Sequence, residues 1–308
     1  MISLKGFDAM TQVAESIRAI VCEQLEKIFP SRSSQGAVVQ RFEDGISNEN
    51  FLVTYSNGYK IAFRMVGKGA EGMVDRLDEK YNTSVGVRLG ITPEVLWFDE
   101  CSGMKVTRFI ADAETLHNDS IQTDENLAKV AAVMRKLHTS KCRLHKDFNV
   151  FTEILRYEQL LACAKGEMYE GYAEVREQVL ALEDELSVMG MDVTACHCDT
   201  LPENWIKDGA GKVWLLDWEY SGMNDPFWDI AAPFIEANFA KERESYFLNA
   251  YFDGTVPSTA ERKVLIYKIL MDYLWSIWAR VKELDGDEGL RDYGLMRLSR
   301  GISNLSKL

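Results

Sequence analysis

One segment, residues 197–220, constrains this chain more than any other. It reads His-Cys-Asp-Thr-Leu-Pro-Glu-Asn-Trp-Ile, passes through a glycine-containing turn, and ends in Val-Trp-Leu-Leu-Asp-Trp-Glu-Tyr. The pattern predicts a loop, a short hairpin and a second loop, with Asp199 and Asn204 on the first and Asp217 on the second. A lone His-x-Asp is usually an ordinary capped turn, so the information lies in the order and spacing of all three side chains.

Three oxygen-bearing side chains in this order suit phosphoryl transfer. In kinases a catalytic-loop Asp accepts the proton of the substrate hydroxyl, and an Asn five positions later and an Asp beyond the next strand bind metal. Mg²⁺ is a hard cation that takes oxygen ligands from few protein side chains. We therefore predict that Asn204 and Asp217 hold Mg²⁺ beside ATP and that Asp199 orients the attacking hydroxyl. His197 is expected to support the catalytic loop.

Composition narrows the class of protein. The chain has 308 residues, enough for two lobes with a core each, and a formal net charge of −13. Nucleic-acid binders carry basic stripes, so this balance argues against such a partner. The N-terminus lacks a basic-then-apolar signal segment, and no apolar run approaches the ~20 residues of a membrane span. We expect a cytoplasmic protein without membrane insertion, and a homodimer is compatible with the sequence.

The six cysteines are irregularly spaced and suggest no disulfide framework. The run Cys196-His197-Cys198 superficially resembles a zinc site. Adjacent residues cannot easily close one tetrahedral site, and a partner Cys-x-x-Cys pair does not occur in the sequence. We therefore expect no structural zinc here.

Patterns of strands and helices predict the layout. Strand-like runs and one inserted helix occupy the first third, and long helical periods follow residue 111. The sequence predicts an α+β, protein-kinase-like fold of two lobes: residues 1–110, a small antiparallel sheet with one inserted helix that covers the nucleotide, and residues 111–308, a larger helical lobe with the catalytic loop, metal and acceptor site. The predicted strands are 37–42, 50–55, 59–66, 94–98 and 104–110. The predicted helices are 8–29, 73–89, 123–140, 150–165, 171–189, 225–252 with a break, and 258–284.

The first lobe offers residues for the nucleotide phosphates. Between the first two predicted strands, residues 44–48 form a hairpin whose Ser47 and Asn48 can donate to phosphate oxygens. Arg64 ends the third strand and is placed to contact the α- and β-phosphates, and Glu79 on the next helix can pair with it. The alternatives are an ordinary hairpin tip and a surface ion pair.

Residues 107–110 form the predicted hinge between the lobes. Adenine is usually bound there through backbone N–H and C=O groups, and we assign Arg108 and Ile110 to this contact. Because the backbone does the binding, the side-chain identities carry little information.

These residues resemble those of a known family, the choline/ethanolamine kinases within the aminoglycoside-phosphotransferase-like kinases, and most closely its bacterial choline kinases. The resemblance covers nearly the whole chain from about residue 36. It rests on the Gly-Ile-Ser-Asn-Glu-Asn hairpin at 45–50, the Phe-Arg-Met-Val-Gly-Lys-Gly stretch at 63–69, the segments 96–99 and 103–106, and above all Leu-Leu-Asp-Trp-Glu-Tyr-Ser-Gly-Met-Asn-Asp-Pro at 215–226. Two positions depart from the family pattern: Asp44 replaces a common Gly and Cys198 a common Asn.

The resemblance implies roles for individual residues. Asp199 becomes the catalytic base, and Asn204 and Asp217 become the Mg²⁺ ligands. Arg64, rather than the Lys of protein kinases, and Glu79 become the phosphate-side pair. Asp229 is implied to anchor the catalytic loop from the following helix.

An acceptor site is implied in the helical lobe. A quaternary ammonium such as choline cannot donate a hydrogen bond from nitrogen, so aromatic faces and carboxylates must bind it. Trp275 and Trp278 lie three apart on one helical face and resemble the paired-Trp helix of choline kinases, although periodicity alone would favour core packing. Glu236 resembles the family's acidic residue near the ammonium, and Tyr220 is a further candidate wall.

The sequence therefore predicts an ATP- and Mg²⁺-dependent kinase that phosphorylates a small cationic alcohol, choline first, by direct transfer. One alternative changes the acceptor to ethanolamine, thiamine or an aminoglycoside. Another is a non-catalytic nucleotide-binding protein, which the joint presence of Asp199, Asn204 and Asp217 disfavours. A purely structural helical module fails to explain the same three residues.

Overall fold

The computed structural model describes residues 10–42, 48–66 and 74–308. Its elements form a small lobe built on one sheet, followed by a larger helical lobe, as the sequence predicts. The boundary predicted between residues 110 and 111 lies between the last strand of that sheet and the first strand of the helical lobe. Ser47 and the glycine turn at 67–69 lie outside the described residues.

The first lobe is a six-stranded antiparallel sheet with strand order β1-β2-β3-β4-β6-β5. Alternate residues of the central strands, such as Phe51 and Val53, face helix α1 and bury their side chains against Val21 and Leu25. The elements are β1 (Met10–Gln12), α1 (Glu15–Ile28), β2 (Val38–Phe42), β3 (Asn48–Thr54), β4 (Lys60–Val66), α2 (Arg76–Arg88), β5 (Val95–Phe98) and β6 (Lys105–Arg108).

The beginning of the chain corrects one prediction. Residues 10–12 form β1 rather than the first turn of the predicted helix 8–29, and α1 starts only at Glu15. Met10 pairs with Phe42 and Gln12 with Gln40 in antiparallel register. Without β1, strand β2 would be an edge strand with unpaired N–H and C=O groups. Pairing with β2 therefore determines the conformation of residues 10–12, rather than the local helical periodicity of the sequence.

The second lobe contains the predicted helices with two differences. The predicted helix 171–189 is two helices that meet at Ala181, and a last helix that was not predicted follows residue 290. The predicted break within 225–252 is present and falls at residues 237–240. The elements are β7 (Glu114–Thr115), α3 (Asp124–His138), α4 (Val150–Cys163), α5 (Tyr172–Leu180), α6 (Leu182–Met189), β8 (Thr194–Cys196), β9 (Trp205–Lys207), β10 (Val213–Leu215), β11 (Gly222–Asn224), α7 (Pro226–Glu236), α8 (Lys241–Tyr251), α9 (Ala260–Leu284) and α10 (Arg291–Leu305). Across the described part of the chain, every helix is too short or too polar to cross a bilayer.

Helix α7 starts at a well-defined position beneath the catalytic loop. The Asp225 carboxylate accepts a hydrogen bond from the Phe227 N–H at 2.9 Å, and Pro226 occupies the first helical turn, where its missing N–H costs nothing. Lys263 of α9 pairs with the second carboxylate oxygen of Asp225 at 2.8 Å. These contacts fix the register of α7 and so the position of every side chain on it.

Helix α2 is packed against the helical lobe rather than only against its own sheet. Its residue Asn82 donates to the Ser221 carbonyl at 3.0 Å. Gly86 lies directly against the Trp218 indole, whose N–H donates to Thr92 Oγ1 at 2.8 Å. The absence of a side chain at Gly86 is what permits this close approach between the lobes.

Replacing Gly86 tests this packing. A Cβ atom at this position would lie 2.5 Å from Trp218 Cζ2, so Gly86→Ala forces the indole or the helix to move. We expect the free energy of unfolding to fall by roughly 1–3 kcal/mol, the usual cost of overpacking, despite the better helix propensity of Ala. Urea denaturation measures it, and Ser84→Ala on the same helix is the control. Equal stability of the two variants would contradict the proposed close packing.

Candidate active site

The loop after β8 carries the predicted catalytic residues and is held from behind by α7. The backbone N–H groups of His197 and Cys198 both donate to the Asp229 carboxylate, each at 2.7 Å. Cys198 has a φ of 63°, in the left-handed region that a non-glycine residue rarely adopts. Asp229 therefore anchors the loop, in agreement with the sequence-based interpretation, and it stabilises the unusual backbone just before Asp199.

His197 is buried completely behind this loop. Its ring packs edge-on against Trp218, with the ring centroids 5.0 Å apart. Burial lowers the pKa of His197, against the opposing effect of Asp229 and Asp217, and so favours the neutral ring. This position fits the support of the loop that the sequence predicts for His197.

Asp199 and Asn204 face each other across the short turn at residues 202–204. The Asn204 side-chain N–H group donates to the Asp199 carbonyl at 2.7 Å and to Asp199 Oδ2 at 3.0 Å. Burial and the neighbouring carboxylates of Asp217 and Glu219 raise the pKa of Asp199 well above its ordinary value. The structure thus brings together the predicted base and one predicted metal ligand.

Asp217 follows strand β10 at the end of the hairpin, with a φ of 60° in the left-handed region. Such a backbone costs of order 1–3 kcal/mol in a non-glycine residue and is concentrated at functional sites. Its Oδ1 lies 3.2 Å from the Arg64 guanidinium of the other lobe. The predicted phosphate contact and the second predicted metal ligand therefore meet directly.

Glu219, two residues beyond Asp217, was not assigned a role from the sequence. Burial and the nearby Asp217 charge raise the pKa of Glu219 to about 7. Crowded carboxylates of this kind, with the amide of Asn204 beside them, match the oxygen ligands of a hard divalent cation. The donor set fits Mg²⁺, and the sequence signal for Glu219 was the Asp-x-Glu pattern itself.

A buried ion cluster holds the phosphate side of the site. As predicted, Glu79 pairs with Arg64, at 2.7 Å, and it also pairs with Arg76 at 2.6 Å and with Lys105 at 3.2 Å. Arg76 in turn lies 3.1 Å from Glu219. Burial would raise the pKa of Glu79, but the three cations outweigh it and lower the pKa to about 2. Lys105 escaped sequence analysis because only the folded chain brings it to Glu79. Arg76 lies three residues before Glu79 on the predicted helix, and this i, i+3 spacing is the sequence signal that could have found it.

The other residues predicted to bind the nucleotide are Asn48 on the phosphate side and Arg108 and Ile110 at the hinge. The Asn48 side chain is buried at the start of β3, and the other residues of the hairpin predicted at 44–48 lie outside the described part of the chain. At the predicted hinge, the Arg108 N–H donates to the Glu94 carbonyl at 2.9 Å, and its side chain pairs with the Glu94 carboxylate on the surface. The amide of Arg108 is thus engaged within the sheet, which leaves Ile110, two residues beyond β6, as the candidate hinge donor.

The predicted acceptor residues form a continuous row of rings. Tyr220 contacts Trp275 edge-on at 6.1 Å between centroids, and Trp275 contacts Trp278 in the same manner at 5.9 Å. Tyr293 of α10 extends the row, 6.3 Å from Trp278. Tyr220 and Trp275 also line a cavity of about 330 Å³. Tyr293 was missed because the helix that carries it was not predicted.

Glu236 ends α7 close to this row of rings. Its charge adds to the rise in the pKa of Asp199, after burial, Asp217 and Glu219. Its carboxylate pairs with the buried Arg297 guanidinium, which lies over the Tyr293 ring at 4.8 Å. Arg297 also pairs with Asp272 at 3.1 Å. Glu236 is therefore both part of a buried ion network and a neighbour of the aromatic row.

Fold and site together define a phosphotransferase of the protein-kinase-like class. A β-rich lobe supplies an arginine held by a helix glutamate, and a helical lobe supplies the loop, the hairpin and the carboxylates. The comparisons with known proteins narrow this class.

Residues 39–276 match the family model described as choline/ethanolamine kinase. The crystal structure of choline kinase LicA from Streptococcus pneumoniae superimposes with a TM-score of 0.83 at 36% identity, covering 96% of this chain and all of that chain. Protein LicA of Haemophilus influenzae is 29% identical over 272 residues, 86% of this chain and 79% of that protein. Ethanolamine kinase 2 of Mus musculus is 25% identical over 289 residues, covering 84% of this chain and 73% of that protein.

The chain belongs to the choline/ethanolamine kinase family. It is thus a kinase, which confirms the resemblance, the fold class and the enzyme class predicted from the sequence.

Acid denaturation tests the Glu79 cluster. Because the pKa of Glu79 is lowered from 4.5 to about 2, its ionised form stabilises the fold above about pH 4.5, and that contribution disappears as the pH falls through 2. The lowering of the Glu79 pKa corresponds to about 3 kcal/mol in the free energy of unfolding. Glu79→Gln leaves three buried cations without their carboxylate, so we expect a loss of roughly 3–5 kcal/mol near neutral pH.

The measurement is chemical denaturation at a series of pH values between 7 and 2. The Glu79→Gln variant should also lose the part of the acid dependence that this carboxylate contributes to the parent. Glu94→Gln, which removes an exposed partner of Arg108, is the matched control and should change neither quantity measurably. A Glu79→Gln variant as stable as the parent at pH 7 would rule out the role of Glu79 as the charge partner.

Proposed function

We propose that this chain transfers the γ-phosphoryl group of ATP to the hydroxyl of choline. The observation that carries the proposal is that the row of rings begins where the acidic cluster ends: Tyr220, which contacts Trp275 edge-on, directly follows Glu219, and the charges of Glu219 and Asp217 act on Asp199. The same arrangement would place an alcohol at Asp199 and its ammonium group on aromatic faces.

On the nucleotide side, Asn204, Asp217 and Glu219 are the residues proposed to hold Mg²⁺. When bound, the ion would neutralise phosphate charge and the Asp217 charge that, together with burial as the larger cause, raises the pKa of Glu219 to about 7. Arg64 is proposed to turn from Asp217 toward the α- and β-phosphates while Glu79 holds its guanidinium. A crystal structure of LicA in complex with AMP, 36% identical to this chain, supports a nucleotide site in this fold.

On the acceptor side, Asp199 is proposed to accept the hydrogen bond of the choline hydroxyl and to take its proton as the phosphoryl group is transferred. The rings of Trp275, Trp278 and Tyr293 are proposed to surround the trimethylammonium group, which is attracted to aromatic faces. Glu236 adds a carboxylate at the same end. A cytoplasmic location, where ATP is available, forms part of this proposal.

Ethanolamine is the second candidate acceptor. Its primary ammonium can donate hydrogen bonds, and Glu236 offers a carboxylate near the rings to accept one. The relatives include an ethanolamine kinase, which supports testing this substrate. A screen of ATP consumption with choline, ethanolamine, thiamine and several aminoglycosides decides between them by kcat/KM. Turnover of a non-choline acceptor at higher kcat/KM would replace choline in the proposal.

Removal of the proposed base tests the chemistry. Asp199→Asn keeps the size of the side chain and abolishes its capacity to accept a proton. We expect kcat to fall by roughly 10²–10⁴-fold while ATP still binds. Steady-state kinetics and nucleotide titration measure the two effects, and Asp208→Asn, at the tip of the β9–β10 turn, is the control. Turnover within a factor of a few of the parent would remove Asp199 from the mechanism.

Replacement of the paired indoles tests the acceptor. Trp275→Leu or Trp278→Leu keeps apolar bulk but removes the aromatic face, worth ~0.5–2 kcal/mol in a cation–π contact. The KM for choline should rise roughly three- to thirtyfold while the KM for ATP barely changes. Ethanolamine should lose less, since it can still bond to Glu236. Trp214→Leu, at the hairpin, is the matched control. Unchanged choline KM in both folded variants would assign the indoles to core packing.

A further inference from the structure

Asp229, which anchors the catalytic loop, has a third hydrogen-bond partner that the loop does not supply. His138, the last residue of α3, places Nε2 3.0 Å from Asp229 Oδ2, the oxygen that also accepts the His197 N–H. Tyr251, the last residue of α8, places its hydroxyl 2.7 Å from His138 Nδ1. All of these side chains are buried. A chain of hydrogen bonds thus runs from α8 through α3 to α7 and ends on the loop backbone.

For an ionised Asp229 and a neutral His138 ring, the chemistry of each group fixes the direction of these bonds. An ionised Asp229 only accepts, and it already receives the two backbone N–H groups of the loop, so His138 Nε2 carries the proton that it donates. In the neutral imidazole Nδ1 is then an acceptor, and the Tyr251 hydroxyl donates to it. Burial raises the pKa of Tyr251, which keeps that hydroxyl protonated and able to donate. Tyr251 therefore selects the tautomer of His138 that Asp229 requires.

The cluster of His138, Cys196 and Asp229 is not expected to bind a metal ion. Nε2 or Nδ1 of His138, Cys196 Sγ and a carboxylate oxygen of Asp229 lie within 4.8 Å of one another. Each of these groups already has a hydrogen-bond partner, since Cys196 Sγ contacts the Asn224 carbonyl at 3.3 Å and burial raises the pKa of the Cys196 thiol. The cluster is a set of satisfied hydrogen bonds, and its end point is the catalytic loop.

We propose that His138 and Tyr251 are positioning residues for phosphoryl transfer, which act through Asp229 on the backbone of residues 197 and 198. Cys198 is held in a left-handed conformation, and Asp199 follows it directly, so the direction of the catalytic carboxylate depends on how firmly Asp229 holds the two N–H groups. A loosened Asp229 lets this stretch relax, and Asp199 then spends less time in line with the acceptor hydroxyl. Neither His138 nor Tyr251 touches the acceptor or the nucleotide phosphates in this arrangement.

The test uses the full chain and three variants: Tyr251→Phe, His138→Gln and the double variant. Loss of one buried hydrogen bond in the chain is expected to lower kcat roughly three- to tenfold in Tyr251→Phe. The KM values for ATP and for the acceptor should stay within twofold, because the binding groups are untouched. The double variant should be no slower than His138→Gln alone, since Tyr251 acts only through His138. The proposal would be overturned if the fold-losses in kcat of the two single variants multiplied in the double variant, or if folded Tyr251→Phe had an unchanged kcat.

Hydrogen exchange supplies a readout that needs no substrate. The amides of residues 197 and 198 should exchange several-fold faster in Tyr251→Phe, while the amides of α9 keep their parent rates. Unchanged exchange at residues 197 and 198 would overturn the proposal. The kinetic arm rests on the proposed function, and the exchange arm does not, so failure of the choline assignment leaves the positioning role open to test.

Tyr172→Phe is the matched control. Tyr172 is also buried and also donates one hydroxyl hydrogen bond, to Glu158 at 2.9 Å, but it is not part of the chain to Asp229. We expect a comparable loss of thermal stability with kcat and loop exchange unchanged. If Tyr172→Phe lowered kcat and accelerated hydrogen exchange at residues 197 and 198 as much as Tyr251→Phe does, the effect would be general destabilisation and the proposal would fail. Should His138→Gln not fold, Tyr251→Phe decides alone.

Discussion

The buried carboxylate of Glu79 is the interaction on which the active site depends. It joins α2 to β4 through Arg64 and to β6 through Lys105, and Arg76 links it to Glu219 of the other lobe. Burying charges costs several kcal/mol per ion, so such a cluster is a poor source of net stability. Its value is geometric: each ion restricts the others, and the Arg64 guanidinium is held at the meeting point of the lobes. Removing Glu79 would leave Lys105 without the carboxylate that it pairs with, and Arg64 and Arg76 would keep only Asp217 and Glu219 of the other lobe as acidic partners.

The helical lobe holds two residues of the site, Asp217 and Cys198, in strained backbone conformations. Asp217 and Cys198 both adopt left-handed backbones, which the local sequence does not favour. Asp217 is held by the hairpin before it and by the Arg64 contact, and Cys198 by the Asp229 carboxylate beneath it. Each strained backbone is therefore tied to a polar contact from outside its own loop, Arg64 for Asp217 and Asp229 for Cys198. The rigid parts of the site are thus built from ordinary buried polar contacts rather than from the loop itself.

The accuracy of sequence-based prediction in this chain follows the sequence distance of the contacts involved. Asp199, Asn204 and Asp217 lie within twenty residues on one loop–hairpin–loop unit, so their spacing alone predicts a shared site, and the structure brings Asn204 into contact with Asp199. Their surroundings could not be identified in that way, because Arg76 reaches Glu219 across 143 residues of chain. The prediction of a helix at residues 10–12 was wrong for the same reason, because these residues form hydrogen bonds with the distant strand β2 instead of following the local helical periodicity. Tyr293 was hidden because the buried residues of α10 are Gly294, Arg297, Leu298 and Gly301, among which Leu298 is the single large apolar side chain.

Charge balance at the proposed acceptor site bears on what selects the substrate. Glu236 and Asp272 are paired with Arg297 and Arg300, so two acids are matched by two bases within the cluster. A neutralised carboxylate attracts any small cation only weakly, and the hydrogen bond that it can accept favours a primary ammonium, so Glu236 cannot select a quaternary ammonium over a primary one. Ring faces do separate them, because a methylated ammonium buries apolar surface and keeps its charge near the quadrupole, whereas a primary ammonium loses water that the rings cannot replace. Selectivity for a quaternary ammonium would therefore come from the row of aromatic residues, and Glu236 would set its orientation.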